Sequence, residues 1–331
     1  MKNAMMTVAQ ATAAIEAGKV LVIAAAEEAL CQLPRGRWIG GTTVYFITDT
    51  GGCTDRENLF VTEIGSATAA RPALYATRDL PDLTQGRYDN GLSVIIIPAF
   101  SAAQEEFALH APRYPDLLEQ PLMGWISGVH LDDPDTIRPK VFDGSTGAAY
   151  TDGAMVMHVE LPPGKVAEID ILNIFAADET ADEIIFETTG FSARTAIVNG
   201  ERVDFADYLE NAGIDTRCPL VTNFAGTAIN VSFQSTNSGE GVHFYAPVIK
   251  DTPYRIARAH ADYAKEFSAR PMGDGTRDLS CNCLLNYLYS DLERQKTGTF
   301  TGPATYSGIA YFLVNQVVVR LGITSVDAAA A

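Results

Sequence analysis

The chain has 331 residues, 47% of them hydrophobic and 20% charged, with a formal net charge of -17. That length allows two domains or one large one, and the composition excludes a disordered chain. The acidic balance opposes a nucleic-acid partner, and the five cysteines are too few and odd in number for a disulfide framework.

In chain order, residues 7–17 are alanine-rich and helix-compatible. Val20 to Ala24 is a short apolar run that reads as a buried strand. Glu16 and Lys19 before it and Glu27-Glu28 after it are wrong for a signal peptide. No segment approaches a membrane span, so the expected location is cytoplasmic, with no membrane partner. Glu27 to Leu33 reads as a helix stopped by Pro34, and Val44 to Thr48 as a strand. Asp49-Thr50-Gly51-Gly52 supplies turn chemistry before a second strand, Leu59 to Ile64.

Leu92 to Pro98 is the strongest buried strand, and Ser101 with Gln104 forms a capping box for the helix after it. Leu122 to Leu131 suggests another strand. From Asp132 onward strand-like runs dominate, including a hairpin signal at Asn199-Gly200 and a helix Phe205 to Ala212 capped by Asp204. Thr252 and Pro253 occupy favoured helix-start positions, which places Ile256, His260, Tyr263 and Phe267 on one helical face. Leu284 to Arg294 reads as a helix and Ile309 to Leu321 as a strand. The expected fold is α+β, with two lobes built on similar helix–glycine turn–strand units. These are an N-terminal α/β lobe (1–131), a β-rich middle (132–250) and a C-terminal α/β segment (251–331) that packs with the first lobe.

The two units are Arg35 to Phe46 and a weaker copy, Gly298 to Tyr306. Leu30, Gly36, Gly40 and Thr43 recur at constant separation as Leu292, Gly298, Gly302 and Thr305, and Trp38 recurs as Phe300. Duplication would relate them by a pseudo-two-fold axis, with both turns facing one cleft. In the first copy Arg35 and Arg37 form a positive island in an acidic chain. Gly40 and Gly41 could turn successive N–H groups into an anion nest, and Thr42 and Thr43 add hydroxyls. A guanidinium grips a carboxylate bidentately, so Arg37 would hold a small anionic ligand, with Thr305 and Tyr306 contributing from the other copy.

Catalytic signatures are absent: there is no G-x-G-x-x-G, phosphate-binding loop, G-x-S-x-G or H-E-x-x-H. Cys281 and Cys283 offer two metal ligands of the four that zinc needs, so no metal is expected there. They also supply the alternative of a hydrolase-like cysteine enzyme. His130 with Asp132, Asp133 and Asp135 could hold a cation, but an acidic loop after a strand reads as solvated. His158, His243 and His260 are the candidates for a haem ligand, the second alternative. No cofactor is the leading expectation. A homodimer is expected as the commonest assembly.

Leu279-Ser280-Cys281-Asn282-Cys283 and Gly302-Pro303-Ala304-Thr305-Tyr306-Ser307-Gly308-Ile309-Ala310-Tyr311 resemble the end of the FIST sensory domain. Gly40-Gly41-Thr42-Thr43 is similar to the glycine/threonine turn of its N-terminal part. Ser307-Gly308 departs from the Gly-Glu of that pattern, which puts any role of the glutamate in doubt. The resemblance implies a small-molecule sensor, for amino acids or in some relatives haem, that signals through a partner protein.

Overall fold

The computed structural model describes residues 1–133, 136–224, 227–259, 265–266, 269 and 278–326. A strand buried on both faces reads as a continuous apolar run. Leu21–Ala25, Gly91–Pro98 and Leu279–Cys283 are such strands, with every residue buried. Each leads through a helix (Glu27–Leu30, Ala102–His110 or Leu284–Tyr289) to a parallel neighbour: Trp38–Thr42, Leu122–Ser127 or Gly302–Thr305.

A hairpin follows each parallel pair and leaves its own sheet. Tyr45–Thr48 with Gly51–Thr54 pairs onto Gly302–Thr305. Val141–Asp143 with Ala148–Tyr150 pairs onto Trp38–Thr42, and Ser307–Ala310 with Phe312–Val314 onto Leu122–Ser127. The chain then returns as Leu59–Glu63, Ala154–Glu160 or Val318–Ser325, antiparallel to the first strand of its own unit. An edge strand (Lys2–Met6, Ala69–Tyr75 or Lys165–Leu172) completes each sheet. Among the described residues this makes three six-stranded sheets of identical order and direction. The connectivity is a three-fold repeat whose hairpins are exchanged around a closed ring.

The third repeat differs from the others in one place. The first carries helix Val8–Glu16 after its edge strand, and the second carries the 3-10 turns Thr77–Gly86. The third carries an insertion there, with a six-stranded and a three-stranded sheet. Phe186 meets Phe205, Phe244 and Tyr254 edge-on in its core.

The α+β class holds, weighted to strands. The paired units of the sequence reading are two of three, so the expected two-fold relation gives way to a three-fold one. The expected boundary at residue 132 is crossed, because Ala154–Glu160 pairs with Gly91–Pro98. Pro253–Ile256 is a strand and not a helix start: it fills the gap between Ile184–Ile185 and Leu220–Phe224, where tertiary pairing overrides the cap signal. His260, Tyr263 and Phe267 lie outside the described residues. The apolar run at 309–321 is broken by Tyr311 (φ 61) and Gln316 (φ 47) into separate strands. Asn199 (φ 48) and Gly200 (φ 88) form the expected hairpin turn, and the Asp204 side chain accepts from the Asp207 N–H as the expected cap. No helix of the described residues is long and apolar enough to cross a membrane.

Candidate functional site

The second parallel strand of each repeat ends at a common centre. Aligned through their pairing, these segments are Trp38-Ile-Gly40-Gly-Thr-Thr43, Leu122-Met-Gly124-Trp-Ile-Ser127 and Phe300-Thr-Gly302-Pro-Ala-Thr305. The shared glycine has a steric cause. A Cβ there would lie 3.2 Å from the Ile23 carbonyl oxygen in the first repeat, 1.7 Å from that of Ile95 in the second and 2.8 Å from that of Ser280 in the third.

The shared hydroxyl position comes next. Thr43, Ser127 and Thr305 are all buried. The strand ends are laced together there: Thr43 Oγ1 donates to the Ala304 carbonyl (2.8 Å), the Gly128 N–H to Thr42 (2.8 Å) and the Tyr306 N–H to Ile126 (3.2 Å). Ser127 Oγ has no hydrogen-bond partner among the described residues.

This geometry sorts the residues expected to bind an anion. Thr42, Thr43, Thr305 and Tyr306 gather at the centre. Gly40 and Gly41 are buried strand residues without positive φ, so their N–H groups point alternately and form no nest. Arg37 lies exposed at the opposite end of the strand, its guanidinium on the Gly18 carbonyl. Six residues of extended chain separate it from Thr43, about 20 Å. The hollow beside Thr42, Thr43, Gly128 and His130 has a volume of only ≈ 20 Å³, room for about one water. Arg56, which lines it, is already engaged with Asp133 (2.8 Å), and neighbouring Lys140 pairs with its Glu27.

Cys281 and Cys283 are fully buried, and their thiols donate to the carbonyls of Gly124 and Tyr306. Burial pushes both thiols up, so neither is a ready thiolate. Both ring nitrogens of buried His158 are engaged, by Ser93 Oγ (2.9 Å) and Tyr75 OH (3.0 Å). Burial, with Arg71 and Arg87 nearby, lowers its pKa to about 4. His130 stacks on Tyr45 with ring centroids 5.4 Å apart. Among the described residues no three His, Cys, Asp or Glu side chains converge as a metal site; Asp135 and His260 lie outside them.

Tyr306 connects the centre to an open cleft that sequence reading missed. Its hydroxyl donates to the Val129 carbonyl (3.1 Å), and its ring meets Phe100 edge-on at 5.8 Å. Burial pushes its phenol up to about 12. The cleft, ≈ 420 Å³, lies between the second repeat and the insertion. Phe100, Ser101, Ala102, Gln104 and Glu105 form one wall, and Phe191, Gln234, His243, Phe244 and Tyr245 the other. Phe100 follows the carboxyl end of strand Gly91–Pro98, the end of a parallel strand where ligands gather in open α/β sheets. It is 64% exposed and has φ 61, a conformation that costs a side chain about 1–2 kcal/mol. Its N–H donates to Gln104 Oε1 (2.7 Å), and Ser101 Oγ donates to the Pro98 carbonyl (2.7 Å), which holds the turn. The two walls are about a hundred residues apart in sequence, so the only local signal was the Ser101 cap.

No curated protein and no solved structure matches the chain. The model of a family of unknown function, DUF6976, matches residues 6–324, and the chain belongs to that family.

Proposed function

We propose that this is a non-catalytic small-molecule-binding protein of the cytoplasm, with the cleft between the second repeat and the insertion as its binding site. The observation that carries the reading is Phe100, held strained and exposed at a strand's carboxyl end, facing aromatic residues of a separate sheet. Strained, exposed apolar residues at domain junctions are typical of ligand sites. The five free cysteines suit a reducing compartment. A sensory role agrees in kind with the FIST-like ends of the chain, and the occupied state would then be read by a partner protein.

The anionic ligand expected from the sequence depended on Arg37, which stands far from the other proposed contacts. A cysteine hydrolase would need a thiolate where both thiols are buried and protonated. A small-molecule screen by protein-observed NMR tests the proposal. Hits should perturb Phe100 and Tyr245 and lose about tenfold in affinity in Phe100→Ala, while hits that all map elsewhere would remove the cleft from consideration.

A further inference from the structure

The chemistry of the cleft's walls narrows its ligand. Phe100, Phe191 and Tyr245 supply aromatic surface from both sides, and Glu105 supplies a carboxylate. No lysine or arginine is among the described residues that line it. The start of helix Ala102–His110 would ordinarily favour an anion. Here two of its donors are taken, the Ala103 N–H by Asp152 Oδ1 (2.9 Å) and the Gln104 N–H by Ser101 Oγ (3.1 Å), and the preceding Phe100 N–H is taken by Gln104 Oε1. Asp152 thus places a second carboxylate under the same helix end. Aromatic faces attract cations through their quadrupoles, and carboxylates add to that attraction. Among the described lining residues an anion would meet the Glu105 carboxylate and no lysine or arginine.

Resting on the cleft as the binding site, we infer that its ligand is an organic ammonium ion, a methylated or primary amine whose cationic head sits among Phe100, Phe191 and Tyr245 with Glu105 as counter-ion. The net charge of -17 favours approach of such a cation.

Three probes of one shape separate the possibilities: choline, its neutral isostere 3,3-dimethylbutan-1-ol, and the anion 3,3-dimethylbutyrate. Each is titrated into the full chain at pH 8, with shifts read at Phe100 and Tyr245. Choline should bind about tenfold more tightly than the alcohol, and the butyrate more weakly still. Glu105→Gln should weaken choline several-fold and leave the alcohol unchanged. Because Glu105 is exposed, that variant keeps the fold. If the alcohol or the butyrate matches choline at the cleft, the ammonium assignment falls while the cleft stands. If none of the three shifts Phe100 or Tyr245, the ammonium assignment is overturned, and the broader screen alone decides the cleft.

Discussion

The second and third repeats reach one topology with different interiors. The central strand of the second, Gly91–Pro98, is apolar but for Ser93, whose hydroxyl bonds the neutral, buried His158 on the neighbouring strand. At the matching end of the third repeat the partners are charged: half-buried Arg320 grips buried Asp278 through Nε (2.6 Å) and Nη2 (3.3 Å). The third repeat also buries Asn282, Asn286, Asn315 and Gln316. The Gln316 side chain and the Asn315 backbone face the insertion. Asn230 Nδ2 donates to the Asn315 carbonyl (3.2 Å), Ser232 Oγ to Gln316 Oε1 (2.6 Å) and Gln316 Nε2 to the Arg217 carbonyl (2.9 Å). The difference teaches that one pairing order tolerates a polar interior where partners are at hand, some within the repeat (Asn282 with Asn286, Asn315 with Ser307) and some brought by the insertion.

The strongest way to break the comparison is at the shared glycine. Gly124→Ala puts a Cβ against the Ile95 carbonyl, and a loss of about 3 kcal/mol or more is expected in chemical denaturation. Gly302→Ala should cost less, about 1–3 kcal/mol, and Gly40→Ala, with the widest gap, under about 1 kcal/mol. Equal losses at the three positions would remove the steric account of the repeat.

Acid separates the repeats next. His158 has its pKa lowered from 6.5 to about 4 in the folded protein, so the unfolded chain binds more protons between those values. Its contribution is therefore complete above 6.5 and is lost as pH falls toward 4, up to roughly 3 kcal/mol in all. Melting temperature against pH should flatten over that window in His158→Gln, and an unchanged slope would assign the acid sensitivity to other groups.

At the seam with the insertion, Gln316→Ala removes two hydrogen bonds, from Ser232 Oγ and to the Arg217 carbonyl. A loss of about 1–3 kcal/mol follows, together with faster proteolysis within residues 173–257 if the seam fixes the insertion. The smallest effect belongs to Arg37→Ala. An exposed side chain at a strand's outer end should change stability by under about 0.5 kcal/mol and leave binding at the cleft untouched.

The local elements were legible where one physical rule acts alone. The buried run ending at Pro98, the turn at Asn199-Gly200 and the Asp204 cap each follow from short-range chemistry. The first and third repeats were visible because Gly40 and Thr43 recur as Gly302 and Thr305. The second stayed hidden: Trp125 stands where the others have Gly41 and Pro303, and Ser127 replaces threonine. Only a glycine and a hydroxyl survive, too little to see without the pairing. The Gly40-Gly41 pair was read as a turn because glycine permits positive φ. Glycine is also selected where a neighbouring carbonyl leaves no room for Cβ, and sequence does not distinguish the two causes. That ambiguity put Arg37 beside Thr43 when a whole strand separates them. The cleft depends on long-range assembly, which no local pattern encodes.

The exchanged hairpins have a consequence for synthesis. Tyr45–Thr48 leaves the ribosome before its partner, and Gly302–Thr305 comes some two hundred and fifty residues later. At about 5–20 residues per second the hairpin waits roughly 10–50 s with one edge unpaired. The third sheet cannot close before Gly302–Thr305 has been made, and the second waits for Ser307–Ala310 in the same way. The nascent chain thus carries two incomplete sheets with open edges, the form of strand most prone to wrong partners. A circular permutant that opens between Thr54 and Leu59 would emit Tyr45–Thr48 soon after Gly302–Thr305, and its yield relative to the natural order would measure what that delay costs the cell.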